Sequence, residues 1–199
     1  MRKIFALALL ALFGIFNLSA QMLVSTDPMP RNAILEEFTG IHCTYCPDGH
    51  AIAQSILDNN PGRAFVIALH QGSFASPSAG EPDYRTAFGD AIAGQTGLTG
   101  YPSGTVNRHV FSGSNTALNR GAWAGACDQI MQEISPVNIG ISSEYEASTR
   151  LLTVNIELYY TSNSASPSNF INIALIQDSI YGPQTGGGAG SNYRHMHML

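Results

Sequence analysis

Lysine is almost missing from this chain: Lys3 is the only one in 199 residues, and charged residues of all kinds make up 12%. Nine Lys and Arg face 14 Asp and Glu, a formal charge of −5, and no basic run occurs anywhere. Nucleic-acid binding draws on clustered Lys and Arg against phosphates, and attraction to an anionic bilayer needs the same residues. Both are therefore excluded as the working surface. After the first twenty residues no stretch approaches the ~20 apolar residues that a membrane-spanning helix needs. Cysteine is scarce as well, with only Cys43, Cys46 and Cys127. That is one close pair and one left over, as suits an oxidising compartment.

What is present begins with an export signal. Arg2 and Lys3 precede an apolar stretch from Ile4 to Phe16, and Asn17-Leu18-Ser19-Ala20 forms a cleavage region. The apolar stretch is too short to span a bilayer comfortably, and no cysteine follows it closely enough to suggest a lipid anchor. Loss of residues 1–20 would leave seven arginines against 14 acidic residues, a formal charge of −7. Hydrophobic residues are 44% of the chain, enough for a packed core, and the length allows one large or two small domains.

The chemistry concentrates between Ile34 and His50. Ile34–Phe38 reads as a strand carrying Glu36 and Glu37, Thr39-Gly40 break it, and Cys43 and Cys46 follow two residues apart. Beyond Pro47, Ile52, Ile56 and Leu57 share the spacing of a helix face. A cysteine at a helix start meets unpaired N–H groups and the positive end of the dipole, both of which favour thiolate. Two intervening residues let the sulfurs open and close a disulfide with little backbone motion. The plainer reading, an inert staple in an exported protein, stands beside it.

Residues 21–30 are polar and proline-bearing, a mobile lead-in. The helix runs to about Asp58 and is ended by Asn59-Asn60-Pro61-Gly62. Ala64–His70 is an apolar run of strand length, completing a βαβ unit with a parallel sheet. Gln71–Asp83 reads as a loop and Tyr84 to about Ile92 as a short helix. Tyr101-Pro102 before a β-prone run is a candidate cis peptide. Ala117–Ile134 reads as the clearest helix, with Cys127 an inert thiol in its apolar stripe. From Val137 the character changes: Val137–Tyr145, Leu151–Tyr160 and Phe170–Gln177 are β-rich, with Val154, Ile156 and Leu158 alternating with polar neighbours. Tyr193–Leu199 is again strand-like. These runs suggest an all-β, immunoglobulin-like sandwich with too few strands to close, leaving an open apolar face on Val154, Ile156 and Leu158. The expected division is 1–20 signal, 21–30 lead-in, 31–135 an α/β unit, and 136–199 a β-sandwich that looks truncated.

Cys43-x-x-Cys46 together with Gly100-Tyr101-Pro102-Ser103 resembles the thioredoxin superfamily. The likeness implies that Tyr101 and Pro102 contact substrate and that Glu37, six residues before Cys43, relays protons to Cys46. Glu36 is the competitor for that role, on the opposite face by alternation. Thr44-Tyr45 replaces the usual Gly-Pro, and His42 stands where a tryptophan is common. A protonated His42 could stabilise a Cys43 thiolate, or it could have no role. Glu36-Glu37-Phe38-Thr39-Gly40, Cys43-x-x-Cys-Pro-x-Gly-His50, Tyr101–Arg108 and Tyr193-Arg194-His195 more closely resemble the outer membrane protein 28-related family of Gram-negative bacteria. That likeness implies export to the periplasm, outer membrane or cell surface, a thioredoxin-like domain followed by a β-rich region, and members that usually continue further.

Three functions follow as expectations. The first is thiol–disulfide exchange with cell-envelope proteins, with Cys43 the exposed nucleophile, Cys46 the resolving thiol, Glu37 the proton shuttle and no cofactor. The second is a non-catalytic surface or interaction protein stapled by Cys43–Cys46. The third is copper or zinc binding by the cysteine pair and His42, His50 or His70, with His195 and His197 a weaker metal pair.

Overall fold

A computed structural model describes residues 23–188 and 190–199; the signal segment expected over residues 1–20 lies outside them. The N-terminal region is mixed α/β. Strand β1 (Ala33–Thr39) occupies the interior of a four-stranded sheet of order β2-β1-β3-β4, with β2 at Ala64–His70, β3 at Ser103–Val106 and β4 at Leu118–Asn119. β1 runs parallel to β2 in the register Leu35↔Val66 and Glu37↔Ala68, joined by helix α1 (Cys46–Asn59), as the βαβ reading requires. β3 is antiparallel to β1, so the sheet is mixed where an all-parallel core was expected. The short strand runs the other way because its chain arrives through the Gln71–Pro102 connection rather than a second crossover.

Alternation along β1 sets the two faces. Ala33 and Leu35 pack with Ala53 and Ile56 of α1 and with Trp123, Ala126, Cys127 and Ile130 of α3 (Trp123–Met131). Phe38 packs on the other face with Leu69 and with Ala93 of α2 (Ala87–Ala93). Leu35, Phe38, Trp123 and Ile130 are fully buried, each worth roughly 1.5–3 kcal/mol of transfer energy.

The long helix expected over Ala117–Ile134 is shorter. Leu118 pairs in β4, and the Asn119 side chain accepts from Gly121 N–H to start a one-turn 3-10 helix ahead of α3. The helix expected from Tyr84 starts at Ala87, where the Thr86 hydroxyl accepts from Gly89 N–H at 2.9 Å and caps it. The lead-in is held rather than mobile over its described residues: Asn138 donates to the carbonyls of Ser25 and Asp27 at 2.7 Å each, and Val24 is buried.

The C-terminal region is sheet-rich, but its described residues build two separate two-stranded sheets in place of the expected sandwich. β5 (Val137–Glu146) and β6 (Leu151–Tyr160) form one hairpin; β7 (Ile180–Gln184) and β8 (Gly190–His195) form the other. Phe170–Ile176 is irregular and exposed rather than a strand, and Gln177 makes one bridge to Met198. The apolar alternation is there in β6, which among the described residues pairs with β5 alone. The chain end returns to β2: Ala68 N–H donates to His197 O at 2.7 Å, and Leu199 N–H to Ala68 O at 3.2 Å.

Candidate functional site

Cys43 and Cys46 form a disulfide with their Cα atoms 5.4 Å apart. Cys46 is the first residue of α1, followed by Pro47, and Asp48 lies in the first turn, where proline and an acid both suit the unpaired N–H groups. Cys43 sits in the turn before. It is 3% exposed and Cys46 fully buried, which corrects the expectation of an exposed Cys43. The cover comes from β7 and the loop after it. Gln184 donates to the carbonyls of Cys43 (3.0 Å) and Gly40 (3.1 Å), and Gly186 lies against the Thr44 carbonyl so closely that a Cβ there would overlap it.

Alternation separates the two carboxylates. Glu36 faces Arg108, which donates two hydrogen bonds to it at 2.8 and 2.5 Å. Glu37 points beneath α1, 1% exposed, and its Oε1 has no hydrogen-bond partner. A Cβ on Gly49 would lie 2.7 Å from that oxygen and 3.0 Å from Pro102 Cβ, so the acid, the first turn of α1 and Pro102 meet at one point. Burial holds the Glu37 carboxyl well above the usual carboxylate range. The Tyr101–Pro102 peptide is cis. Tyr101 accepts from Gln71 Nε2 at 2.5 Å and packs edge-on against Phe74. His42 lies 2.9 Å from Glu81 across its Nε2.

The sequence reading offered the histidines on the far side of Glu37 only as metal ligands. His50, one turn into α1, bonds Thr39 Oγ1 through Nε2 at 2.8 Å and the Tyr193 hydroxyl through Nδ1 at 2.7 Å. Its Nε2 is 3.8 Å from Glu37 Oε1. His70 at the end of β2 and His195 on β8 meet edge to face at 5.2 Å, with Tyr84 and Tyr193 against them. Both His70 ring nitrogens and His195 Nδ1 lack partners, and the two residues line a pocket of about 220 Å³ together with Glu37, His50 and Tyr193. Burial lowers His50 to about 4 and His70 to about 3, with His195 adding to both; burial also lowers His195 and pushes Tyr193 up to about 12. The sequence signals for this cluster were the Cys43-x-x-Cys-Pro-x-Gly-His50 and Tyr193-Arg194-His195 motifs, which carried no proton chemistry until the fold brought Tyr193 onto His50.

Among the described residues no group of three His, Cys, Asp or Glu is arranged to hold a metal ion. His42, His50 and His70 are not gathered on the cysteine pair, which corrects the three-ligand copper or zinc expectation. His197 is 3.1 Å from Asp178 rather than joined with His195. Cys127 is a free, buried thiol pushed up to about 11 by burial, in line with an inert core residue.

No helix among the described residues is long and apolar enough to cross a membrane. No curated protein matches the chain. Among solved structures, HBP35 of Porphyromonas gingivalis is similar with a TM-score of 0.60 at 19% identity, over 86% of this chain and 56% of that one. That is a likeness of fold, and this chain spans little more than half the length of that protein. Protein AGR_C_4864 from Agrobacterium tumefaciens is similar at a TM-score of 0.39 and 9% identity, over 68% of this chain and 77% of that one, too remote to support an inference. The family model described as outer membrane protein Omp28 matches residues 89–199, a span holding Tyr101-Pro102, both hairpins and Tyr193-Arg194-His195. The chain therefore belongs to the outer membrane protein Omp28 family and is an exported protein of the cell envelope.

Proposed function

We propose that residues 31–135 are a thioredoxin-like unit that exchanges disulfides with proteins of the cell envelope. Cys43 is the nucleophile, Cys46 the resolving thiol, Glu37 the proton carrier for Cys46, and Tyr101 and Pro102 the substrate contact. His42 assists the Cys43 thiolate when protonated. The observation that carries the proposal is Glu37: a buried carboxyl whose Oε1 lacks a hydrogen-bond partner and whose proton burial favours, beside the first turn of α1 and Pro102. A staple has no use for such a group, whose unmet hydrogen bond costs about 1–3 kcal/mol, whereas proton transfer to a buried thiol does. The loop after β7 must move aside for a partner to reach Cys43.

A second reading, a structural disulfide in an interaction protein, is favoured by the burial of both sulfurs. Trapping in the periplasm separates the two. In Cys46→Ser the resolving thiol is gone, so mixed disulfides should accumulate on Cys43, while Cys43→Ser traps few or none. A staple predicts no capture by either variant; equal capture by both would overturn the assigned roles.

A further inference from the structure

We infer that His50 and Tyr193 are positioning residues that form the outward arm of the proton path serving Glu37, so that strand β8 completes the exchange site on α1. The inference rests on the exchange reading above.

The contact is between residues 143 positions apart. Tyr193 is placed by the β7–β8 hairpin, whose register sets Gly182 opposite it. The hairpin is in turn fixed to the cysteine loop by Gln184 and to β2 by the Ala68 bonds. His50 therefore has a partner on each nitrogen, Thr39 on the Glu37 side and Tyr193 on the pocket side. An imidazole so held can accept a proton at Nε2 while releasing one at Nδ1, a tautomer exchange that moves a proton across the ring without charging it for long. The 3.8 Å between His50 Nε2 and Glu37 Oε1 is one small shift from transfer, and catalytic hydrogen bonds are commonly long before substrate binds. Beyond Tyr193 the pocket offers about 220 Å³ lined by His70 and His195, the polarity and room that water requires.

The step balances as follows. Reduced Cys43 has attacked one sulfur of a substrate disulfide and holds it as a mixed disulfide. Burial favours the proton on Glu37, so the carboxyl first passes it by way of His50 and Tyr193 to the pocket. The carboxylate then takes the proton of the Cys46 thiol, and the thiolate attacks Cys43 Sγ. The Cys43–Cys46 bond forms and the Cys43–substrate bond breaks. The substrate leaves as a thiolate that takes a proton from solvent; it is reduced by two electrons and the cysteine pair is oxidised by two. Glu37 ends with the proton it took from Cys46, ready for the next turnover. The titratable groups facing His50 are Glu37 on β1, His70 on β2, and Tyr193 and His195 on β8; Arg194 and the His197–Asp178 pair stand around the same pocket. A neutral His50, as its burial enforces, is the form that relays rather than stores a proton.

The test oxidises the reduced full-length mature protein with glutathione disulfide. Quenched samples analysed by mass follow formation and resolution of the mixed disulfide between pH 5 and 9. Tyr193→Phe and His50→Gln should slow resolution by on the order of tenfold, less than the roughly 10²–10⁴-fold of a direct acid–base group. Formation of the mixed disulfide should be unchanged, and added imidazole buffer should restore resolution by carrying the proton instead. Unchanged resolution in both variants would overturn the inference. So would a parallel loss of both steps without rescue by imidazole, which would mark a purely structural role. Failure of the wild-type protein to form or resolve the mixed disulfide would overturn the exchange reading itself.

Discussion

The two hairpins of the C-terminal region are built alike and used differently. Both are antiparallel pairs with polar connections, yet β7–β8 buries Gln184 and His195 against the α/β unit while β5–β6 leaves most of its surface open. In β5–β6 the polar face is the docked one: Asn138 and Gly140 are buried against residues 23–27. Ile139, Ile141 and Tyr145, with Leu152 and Leu158 across from them, are 40–66% exposed. In β7–β8 docking rests on a few polar contacts and on glycines that let backbone approach backbone. Burial of a hairpin follows from what its turns and termini can reach, more than from its apolar content.

The largest effect should come from closing that approach. Gly186 has φ +81°, and a Cβ there would overlap the Thr44 carbonyl. Gly186→Ala combines the left-handed cost of about 1–2 kcal/mol with overpacking of about 1–3 kcal/mol. Destabilisation of about 3 kcal/mol in urea is expected. Faster alkylation of Cys43 in the reduced protein should accompany it. Gly188, with φ +74° and open space around it, is the control, and its alanine variant should lose only about 1–2 kcal/mol. Equal losses would mean that the loop does not rest on the cysteine turn in solution.

Next in size is a pH dependence of the contact between the docked hairpin and the α/β unit. His70 and His50 are lowered from 6.5 to about 3 and about 4, so between those values and 6.5 the unfolded chain binds protons that the folded one refuses. Stability should fall as pH drops from 7 toward 4.5. Glu37, raised by burial, acts in the opposite sense, because its neutral folded form is favoured as pH falls toward the ordinary carboxylate value. Two imidazoles against one carboxyl, at 1.36 kcal/mol per pH unit, leave a net loss on the order of 2 kcal/mol. His70→Phe should flatten the slope by about one proton. A stability that held steady or rose on acidification would show the imidazoles to be solvated.

Much of the α/β unit was legible because its signals are local. The β1–α1–β2 order, a helix beginning at the cysteine pair, the carboxylates on opposite faces and the buried Cys127 all follow from periodicity and neighbouring residues; that the helix starts at Cys46 and not at Cys43 did not. The antiparallel β3, the shortened α3 and the irregular Phe170–Ile176 were not, since each depends on which edge lies beside it. The site divided the same way. Glu37 and Pro102 could be named through the resemblance that their motifs carry, but Gln184 over Cys43 and Tyr193 on His50 join segments more than 140 positions apart, and no local pattern encodes that pairing.

The smallest expected effect bears on the open hairpin. Along β5, Ile139 and Ile141 are 62% and 66% exposed, and Ile141 stands opposite half-buried Ile156 in register. Replacing both by threonine keeps β-branched stiffness and strand preference while removing apolar area from water-facing positions. Substitutions at such sites are usually within about 0.5 kcal/mol, so the urea midpoint should barely move. Self-association should weaken, because a contiguous exposed apolar face is a contact surface; sedimentation across a concentration series would read it. The two hairpins then separate cleanly: glycine-to-alanine in one costs stability, and isoleucine-to-threonine in the other costs only association. A stability loss above about 1.5 kcal/mol per isoleucine, the scale of a fully buried aliphatic side chain, would mean that the face is covered in solution, and the contrast between the hairpins would disappear.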